Sequence, residues 1–218
     1  MKNYFALMVV LLLSVGVKAQ DRGSVLLNVY GGYNFSDRVD LYSPSYVEFG
    51  DGFQWGGGLE YFIQPTSSIG INYYRMDTSM EAYGRPLGSG VGPIVQLNAG
   101  DDSGALNYVL VDYTYYFNTG GSTLTPYFGA GLGVGILESP SQGSETNFAW
   151  DLKLGAKIKT GGPVSINLQA YLQSMSEPIG SSTYWNSWYG PISYTDYAVL
   201  YQFGLGAVIS YDFKANKM

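Results

Sequence analysis

The most regular feature of the chain is an alternation of apolar and polar side chains with a period of two residues, which is typical of β-strands. In one segment of the second half, every second residue is apolar: Phe128, Ala130, Leu132, Val134 and Ile136. We call the alternate positions of a strand that carry its apolar residues the apolar parity, and the positions between them the polar parity. Between Val25 and Phe213 we find eight such segments, and no segment after Ala19 has a convincing helical period. The pattern therefore predicts an all-β fold with eight strands.

Charged side chains follow this alternation. Within the predicted strands they share the polar parity, as shown by Glu60, Asp112, Asp151, Lys153, Lys157, Lys159 and Asp212. Arg75, near the end of its strand, is the exception. In a membrane barrel the apolar parity contacts lipid and the polar parity faces the lumen, where a charge avoids the cost of burial in hydrocarbon.

Connection lengths give independent support for a membrane barrel. Three connections are short and rich in turn-forming residues, namely Gln64–Ser67, Asn118–Ser122 and Thr160–Gly162. The long ones alternate with them: Ser36–Gly52, Asp77–Gly104, Leu137–Thr146 and Ser174–Asp196. Outer-membrane barrels have short periplasmic turns and long extracellular loops. We therefore expect an eight-stranded antiparallel transmembrane up-and-down β-barrel with both termini in the periplasm.

The N-terminus has the features of a secretory signal peptide. Lys2 precedes an apolar stretch from Phe5 to Val15, which is shorter than a membrane-spanning helix. Small residues at Val17 and Ala19 favour cleavage before Gln20. We expect residues 1–19 to be a signal peptide, residues 20–218 to be the barrel domain, and the protein to be located in the bacterial outer membrane.

Composition agrees with a chain that is surrounded by lipid. Charged residues make up 13% of the chain, against about 25% in ordinary soluble domains, and there are 21 tyrosines and 30 glycines. A soluble barrel with its apolar parity inside is the rival fold, and it would need more surface charge. After residue 19 the chain carries 9 basic and 17 acidic side chains, which argues against nucleic acid as a partner.

The chain resembles a known family, most clearly in three segments. The segment Thr125–Gly135, the segment Phe148–Lys157 and the closing strand that ends at Phe213 are similar to strands of OmpA/OmpX-like and opacity-type outer-membrane barrels. Members of this family usually end at the terminal aromatic residue, whereas here Lys214–Met218 follow. The resemblance covers the whole mature chain in pattern. It implies the fold and an outer-membrane location but not an activity, because members include structural, adhesive and pore-forming proteins.

The inward charges are the first candidate site. They are Glu60, Asp112, Asp151, Lys153, Lys157 and Asp212. They could form a selectivity filter or a proton-linked gate in a narrow pore. They could also form an ion-pair network inside a filled barrel, because eight strands leave an interior just wide enough for side chains. The inward glycines likewise could leave an open lumen or make room for large neighbours.

The last long loop is the second candidate site. Its aromatic side chains, Tyr184, Trp185, Trp188, Tyr189 and Tyr194, could form a binding surface or pack on other loops. In the second long loop, acidic residues between Asp77 and Asp102 could bind a divalent cation or simply be solvated, and their spacing fits no EF-hand. We predict no cofactor and no metal site.

The function expected from the sequence is not enzymatic. The chain has no histidine, the residue on which general-base catalysis near neutral pH most often depends. We expect a structural or surface-interaction role through four extracellular loops. The expected partners are outer-membrane lipid and either another envelope protein or a surface glycan. The alternative is a narrow outer-membrane channel for small or apolar solutes.

Overall fold

The computed structural model describes residues 22–40, 45–85, 93–98, 103–117, 123–139, 143–186 and 190–214. Within these ranges the chain forms eleven β-strands. They are β1 (Val25–Asn34), β2 (Asp37–Asp40), β3 (Tyr46–Phe49), β4 (Gly52–Gln64), β5 (Ser67–Gly84), β6 (Val95–Gln96), β7 (Ser103–Tyr116), β8 (Leu124–Ser139), β9 (Gly143–Lys159), β10 (Val164–Asn186) and β11 (Gly190–Asp212). No helix in the described ranges is long and apolar enough to span a membrane.

Eight of these strands close into a barrel. The antiparallel order is β1, β4, β5, β7, β8, β9, β10 and β11. The barrel closes because β11 also pairs with β1, for example at Val29 and Ile209. Closure leaves these strands without a free edge over the height of the barrel. The predicted fold class, an eight-stranded antiparallel up-and-down barrel, is confirmed.

The apolar parity lies on the outside of the barrel. Leu132 and Leu154 are 62% and 63% exposed, whereas the inward neighbours Asp151 and Lys153 are 1% and 7% exposed. Large apolar side chains cover the outer wall on all eight barrel strands, and aromatic rings such as Phe53, Tyr61, Tyr73, Tyr113 and Phe128 are among them. A closed barrel with an apolar exterior and a polar interior is the arrangement that lipid requires.

Arg75 is on the lipid-facing parity but does not meet hydrocarbon as an isolated charge. Its guanidinium binds Asp77 at 2.9 Å and Glu138 at 3.2 Å, and donates to Asn107 Oδ1 at 3.1 Å. Tyr73 donates to the same amide oxygen at 2.7 Å. This outer-wall network lies at the end of the barrel that carries the long connections, which we call the extracellular end.

Much of the four long connections, which we expected to be extracellular loops, is strand in the described residues. Residues 77–84, 137–139, 143–147 and 174–176 continue the barrel strands, and β10 and β11 pair as a hairpin up to Asn186 and Gly190. The first connection contains the hairpin β2–β3, which pairs with β5. Continued pairing satisfies backbone groups that an irregular loop would leave to water, and Thr, Tyr and Trp favour it.

An apolar cluster fills the extracellular part of the interior, which the sequence pattern did not predict. Its buried members include Val39, Phe49, Met80, Leu106, Met175 and Leu200. Val39 and Phe49 come from the β2–β3 hairpin, which therefore packs against the interior of the barrel mouth. The polar character predicted for the inward parity is thus correct for the middle of the barrel but wrong for this end.

Candidate functional site

Inward side chains fill the periplasmic end of the lumen with an aromatic layer. Leu26, Phe62, Tyr116 and Tyr127 form a buried cluster, in which the rings of Phe62 and Tyr116 stack at 5.2 Å. Tyr116 also contacts Tyr127, with ring centres 5.4 Å apart. These residues lie on β1, β4, β7 and β8, so the layer spans half of the barrel strands.

A buried ion-pair triad lies above this layer. Lys153 Nζ is 2.7 Å from Asp112 Oδ2, 3.1 Å from Asp151 Oδ2 and 3.1 Å from the hydroxyl oxygen of Tyr74. Asp112 on β7 and Asp151 on β9 are the cross-strand partners of Gly131 on β8. Because Gly131 has no side chain, both carboxylates lie over it and reach the same ammonium group.

Glu60 is held by neutral donors. Its carboxylate accepts from Ser68 Oγ at 2.5 Å, from the Tyr116 hydroxyl at 2.7 Å and from Asn28 Nδ2 at 3.1 Å. Charge-assisted hydrogen bonds of this kind partly compensate for lost hydration. The nearby ammonium of Lys157 lies 5.2 Å from the ring centre of Tyr116 and 5.3 Å from that of Phe62, within cation–π range.

A layer of amides and tyrosines lies between the charged residues and the apolar cluster. Gln54 donates to Gln173 at 2.8 Å, and Gln202 accepts from Tyr108 at 3.2 Å and from Asn34 at 3.4 Å. The Tyr171 hydroxyl also donates to Asn34 Oδ1. Sequence analysis missed this layer. The only feature of the sequence that points to this layer is the set of uncharged amide side chains on the polar parity. Such side chains are also common on strands that face water.

The predicted inward charges divide into two groups. Glu60, Asp112, Asp151, Lys153 and Lys157 are all buried in the lumen. Asp212 is half-buried at the periplasmic end, where its carboxylate accepts from the backbone N–H of Lys214 at 2.8 Å. The structure therefore brings five of the six side chains together and leaves Asp212 at the rim.

The predicted loop surface falls mostly outside the described structure. Trp188 and Tyr189 lie outside the described residues. The backbones of Tyr184, Trp185 and Tyr194 belong to the β10–β11 hairpin, and their side chains lie outside the described part of the chain. The geometry of this surface therefore remains a prediction from sequence.

The acidic connections show no cation site in the described ranges, where no three acidic side chains are grouped to hold a metal ion. Asp77 binds Arg75, and Glu81 accepts from the Tyr83 hydroxyl at 2.6 Å. That hydrogen bond raises the pKa of Tyr83 to about 12. Asp101 and Asp102 lie outside the described residues.

A polar cavity of about 40 Å³ lies in the lumen between these groups. Its lining includes Glu60, Asp112, Lys153, Asn167 and Tyr30. Since one water needs about 10–15 Å³ of such volume, the cavity has room for about three water-sized particles. It is far smaller than a typical pocket for an organic ligand, which occupies about 300–1,000 Å³.

Tyrosine rings border the cavity on its extracellular side. Tyr30 meets Tyr74 edge to face at 4.9 Å and Tyr171 at 5.6 Å. All three are at most 5% exposed. A channel would need an uninterrupted path through the lumen past these rings and past the layer that contains Tyr116.

Comparison with known proteins shows which solved structures share this fold. The chain is similar in structure to Neisserial surface protein A (NspA), with a TM-score of 0.54 and 16% identity over 88% of this chain and 97% of that one. It is also similar to the outer membrane protein OprG from Pseudomonas aeruginosa, with a TM-score of 0.58 and 10% identity over 89% and 99% of the two chains. No protein-family model matches the chain, and no curated protein matches it in sequence.

These likenesses concern the fold, because identities of 10% and 16% carry no information about activity. The location follows from the fold together with the apolar outer wall, on which residues such as Leu132, Leu154 and Leu168 are more than half exposed. A closed barrel with this exterior is stable only where lipid covers it. The chain is therefore a small eight-stranded β-barrel protein of the bacterial outer membrane.

Proposed function

We propose that the protein is a non-enzymatic outer-membrane barrel that acts through its extracellular hairpins, in envelope structure or in surface interaction. The partner would be another envelope protein or a surface glycan. Within the small outer-membrane barrels, we propose that it is closest to the OmpA/OmpX-like, opacity-type group. Support for that assignment comes from the glycine-rich segment Thr125–Gly135 and the closing strand.

The observation that carries the proposal is the contrast between the two parts of the molecule. The barrel interior is packed with buried side chains and has a cavity of about 40 Å³. The extracellular part extends well beyond it, since residues 177–186 of β10 continue past the last pairing with β9 at Ser176. At about 3.3 Å per residue this hairpin projects roughly 30 Å.

The composition of the hairpin favours a role in recognition. Residues 178–195 contain no charged side chain, whereas Tyr and Trp recur throughout. Such residues are enriched at binding hot spots because they bury a large area at low entropic cost. The absence of histidine from the whole chain supports a role without catalysis.

The test is a binding measurement on the purified barrel in lipid nanodiscs, against surface glycans and purified envelope proteins. A combined change of Tyr184, Trp185, Trp188, Tyr189 and Tyr194 to serine should abolish binding while the barrel keeps its heat-modifiable mobility on a gel. The matched control changes Tyr46 on β3 and Tyr83 on β5, a stacked cross-strand pair, to serine and should retain binding.

Planar-bilayer recordings distinguish this proposal from the channel alternative. A filled lumen predicts no reproducible conductance from the wild-type protein. Large, reproducible conductance that is unaffected by the five serine substitutions would instead favour a channel for small solutes.

A further inference from the structure

Three buried carboxylates form a regular row across the barrel wall. Directly paired residues on five successive strands are Glu60 (β4), Gly70 (β5), Asp112 (β7), Gly131 (β8) and Asp151 (β9). Acidic and glycine positions thus alternate along the row. The carboxylates of Asp112 and Asp151 occupy the space over Gly131. Gly70 lines the cavity together with Glu60, Asp112 and Asn72, whose amide donates to Asp112.

The polar atoms around this cavity are short of partners. Asn28 Oδ1 and Asn167 Oδ1 are buried without a hydrogen-bond partner, and both residues line the cavity. Asn167 is 4% exposed. A buried polar atom without a partner costs about 1–3 kcal/mol. Both atoms are amide oxygens that can only accept, so a donor or a cation would satisfy them.

Charge balance favours a cation over water alone. The charged side chains that are buried in the described part of the chain are three carboxylates and two ammonium groups. In their ordinary ionised forms they leave one negative charge in a low-dielectric interior, where an unbalanced charge is expensive. Lys153 binds Asp112 and Asp151 at 2.7 and 3.1 Å, whereas the hydrogen bonds to Glu60 come from neutral groups.

We propose that the cavity between Glu60 and Asp112 binds one small monovalent cation of the Na⁺ type, coordinated by carboxylate, amide and hydroxyl oxygens. Hard cations prefer such ligands. One ion with two waters fills a volume of about 40 Å³. A monovalent ion neutralises the lumen, whereas a divalent ion would leave it positively charged.

The test measures unfolding of the refolded barrel in zwitterionic micelles, with NaCl exchanged for N-methyl-D-glucamine chloride at constant ionic strength. The organic cation screens surface charge but is too large for the cavity. Above the dissociation constant, each tenfold rise in Na⁺ should lower the unfolding equilibrium constant of the wild-type protein up to tenfold. Equal stability in the two salts would mean that only water fills the cavity and would overturn the proposal.

Single-residue variants show whether the Na⁺ dependence of unfolding comes from the cavity. Glu60→Gln and Asn167→Leu should remove the Na⁺ dependence, whereas Asp212→Asn, a carboxylate outside the cavity, should retain it. Na⁺ dependence that persists in folded Glu60→Gln and Asn167→Leu would place the ion elsewhere and contradict the proposal.

A second readout needs no variant. The ²³Na NMR line should broaden in the presence of the folded wild-type barrel and stay broad in excess N-methyl-D-glucamine. A line that narrows to its free width under these conditions would also overturn the proposal.

Discussion

At the scale of single residues, the triad around Lys153 explains how charges are tolerated in the interior. Its ammonium reaches both Asp112 and Asp151, and all three side chains are nearly inaccessible to solvent. A buried ion pair contributes little net stability when it is intact, but its disruption leaves an unpaired charge that is expensive. The triad should therefore be sensitive to loss of one member.

Lys153→Met removes the common partner of two buried carboxylates. We expect the free energy of unfolding to fall by about 3–5 kcal/mol, since two carboxylates are left uncompensated. Urea titration of the refolded barrel in lipid vesicles measures this change. Lys214→Met, which removes an exposed contact to the Arg22 carbonyl, is the control and should stay within about 0.5 kcal/mol of the wild type. Equal effects of the two substitutions would contradict a stabilising role for the triad.

At the scale of strands, the glycine-rich β8 illustrates how the wall accommodates a filled lumen. A Cβ at Gly133 would lie 2.0 Å from the backbone oxygen of Val109, and one at Gly131 would lie 1.9 Å from Asp112 Oδ1. These glycines therefore make room for the neighbouring strand and for the triad. They do not indicate an open pore.

Gly133→Ala should destabilise the barrel, because a neighbouring backbone atom cannot move aside as a flexible side chain can. We expect a loss of about 1–3 kcal/mol, which is typical of overpacking. Gly162→Ala, in the turn before β10 with no atom within 4 Å of the new Cβ, is the matched control. Thermal unfolding followed by circular dichroism compares the two, and a Gly133→Ala barrel as stable as the control would refute close packing at this position.

The strands also show how far sequence reasoning extends. The parity of β8 and β9 is correct because hydrocarbon selects apolar side chains at every second position, as at Leu132 and Leu154. That local signal is lost at the extracellular end, where Leu106, Met175 and Leu200 point inward. There the β2–β3 hairpin covers the mouth, so burial inside the barrel replaces contact with lipid or water. Such a contact joins distant segments and has no local pattern.

The candidate site was predictable in its members but not in its connections. Charges on the polar parity identified Glu60, Asp112 and Lys153 as inward residues. Which carboxylate pairs with which ammonium depends on cross-strand register, for example on Asp112 and Asp151 both flanking Gly131. Register across eight strands is set by the closed barrel as a whole and cannot be derived from one strand at a time.

At the scale of the whole molecule, charge is distributed unevenly between the two ends. In the described residues of the extracellular part, ten acidic residues accompany three arginines. The acidic residues are Asp37, Asp40, Glu48, Asp51, Asp77, Glu81, Glu138, Glu145, Glu177 and Asp196, and the basic ones are Arg38, Arg75 and Arg85. The periplasmic rim carries Arg22, Lys159 and Lys214 beside Asp212. The two surfaces therefore have opposite net charge, so a partner at the extracellular end meets an acidic surface.

The central claim is that the apolar parity of the closed barrel faces lipid and the polar parity is enclosed. Since the chain has no cysteine, single spin labels can be attached at Leu132→Cys, Leu154→Cys and Leu168→Cys in lipid vesicles, with Glu48→Cys as a water-exposed control. We expect the three leucine positions to collide with dissolved oxygen and to be shielded from a water-soluble nickel complex, while the Glu48 position collides with the nickel complex. Free access of the nickel complex to the three leucine positions would contradict the membrane barrel and everything inferred from it.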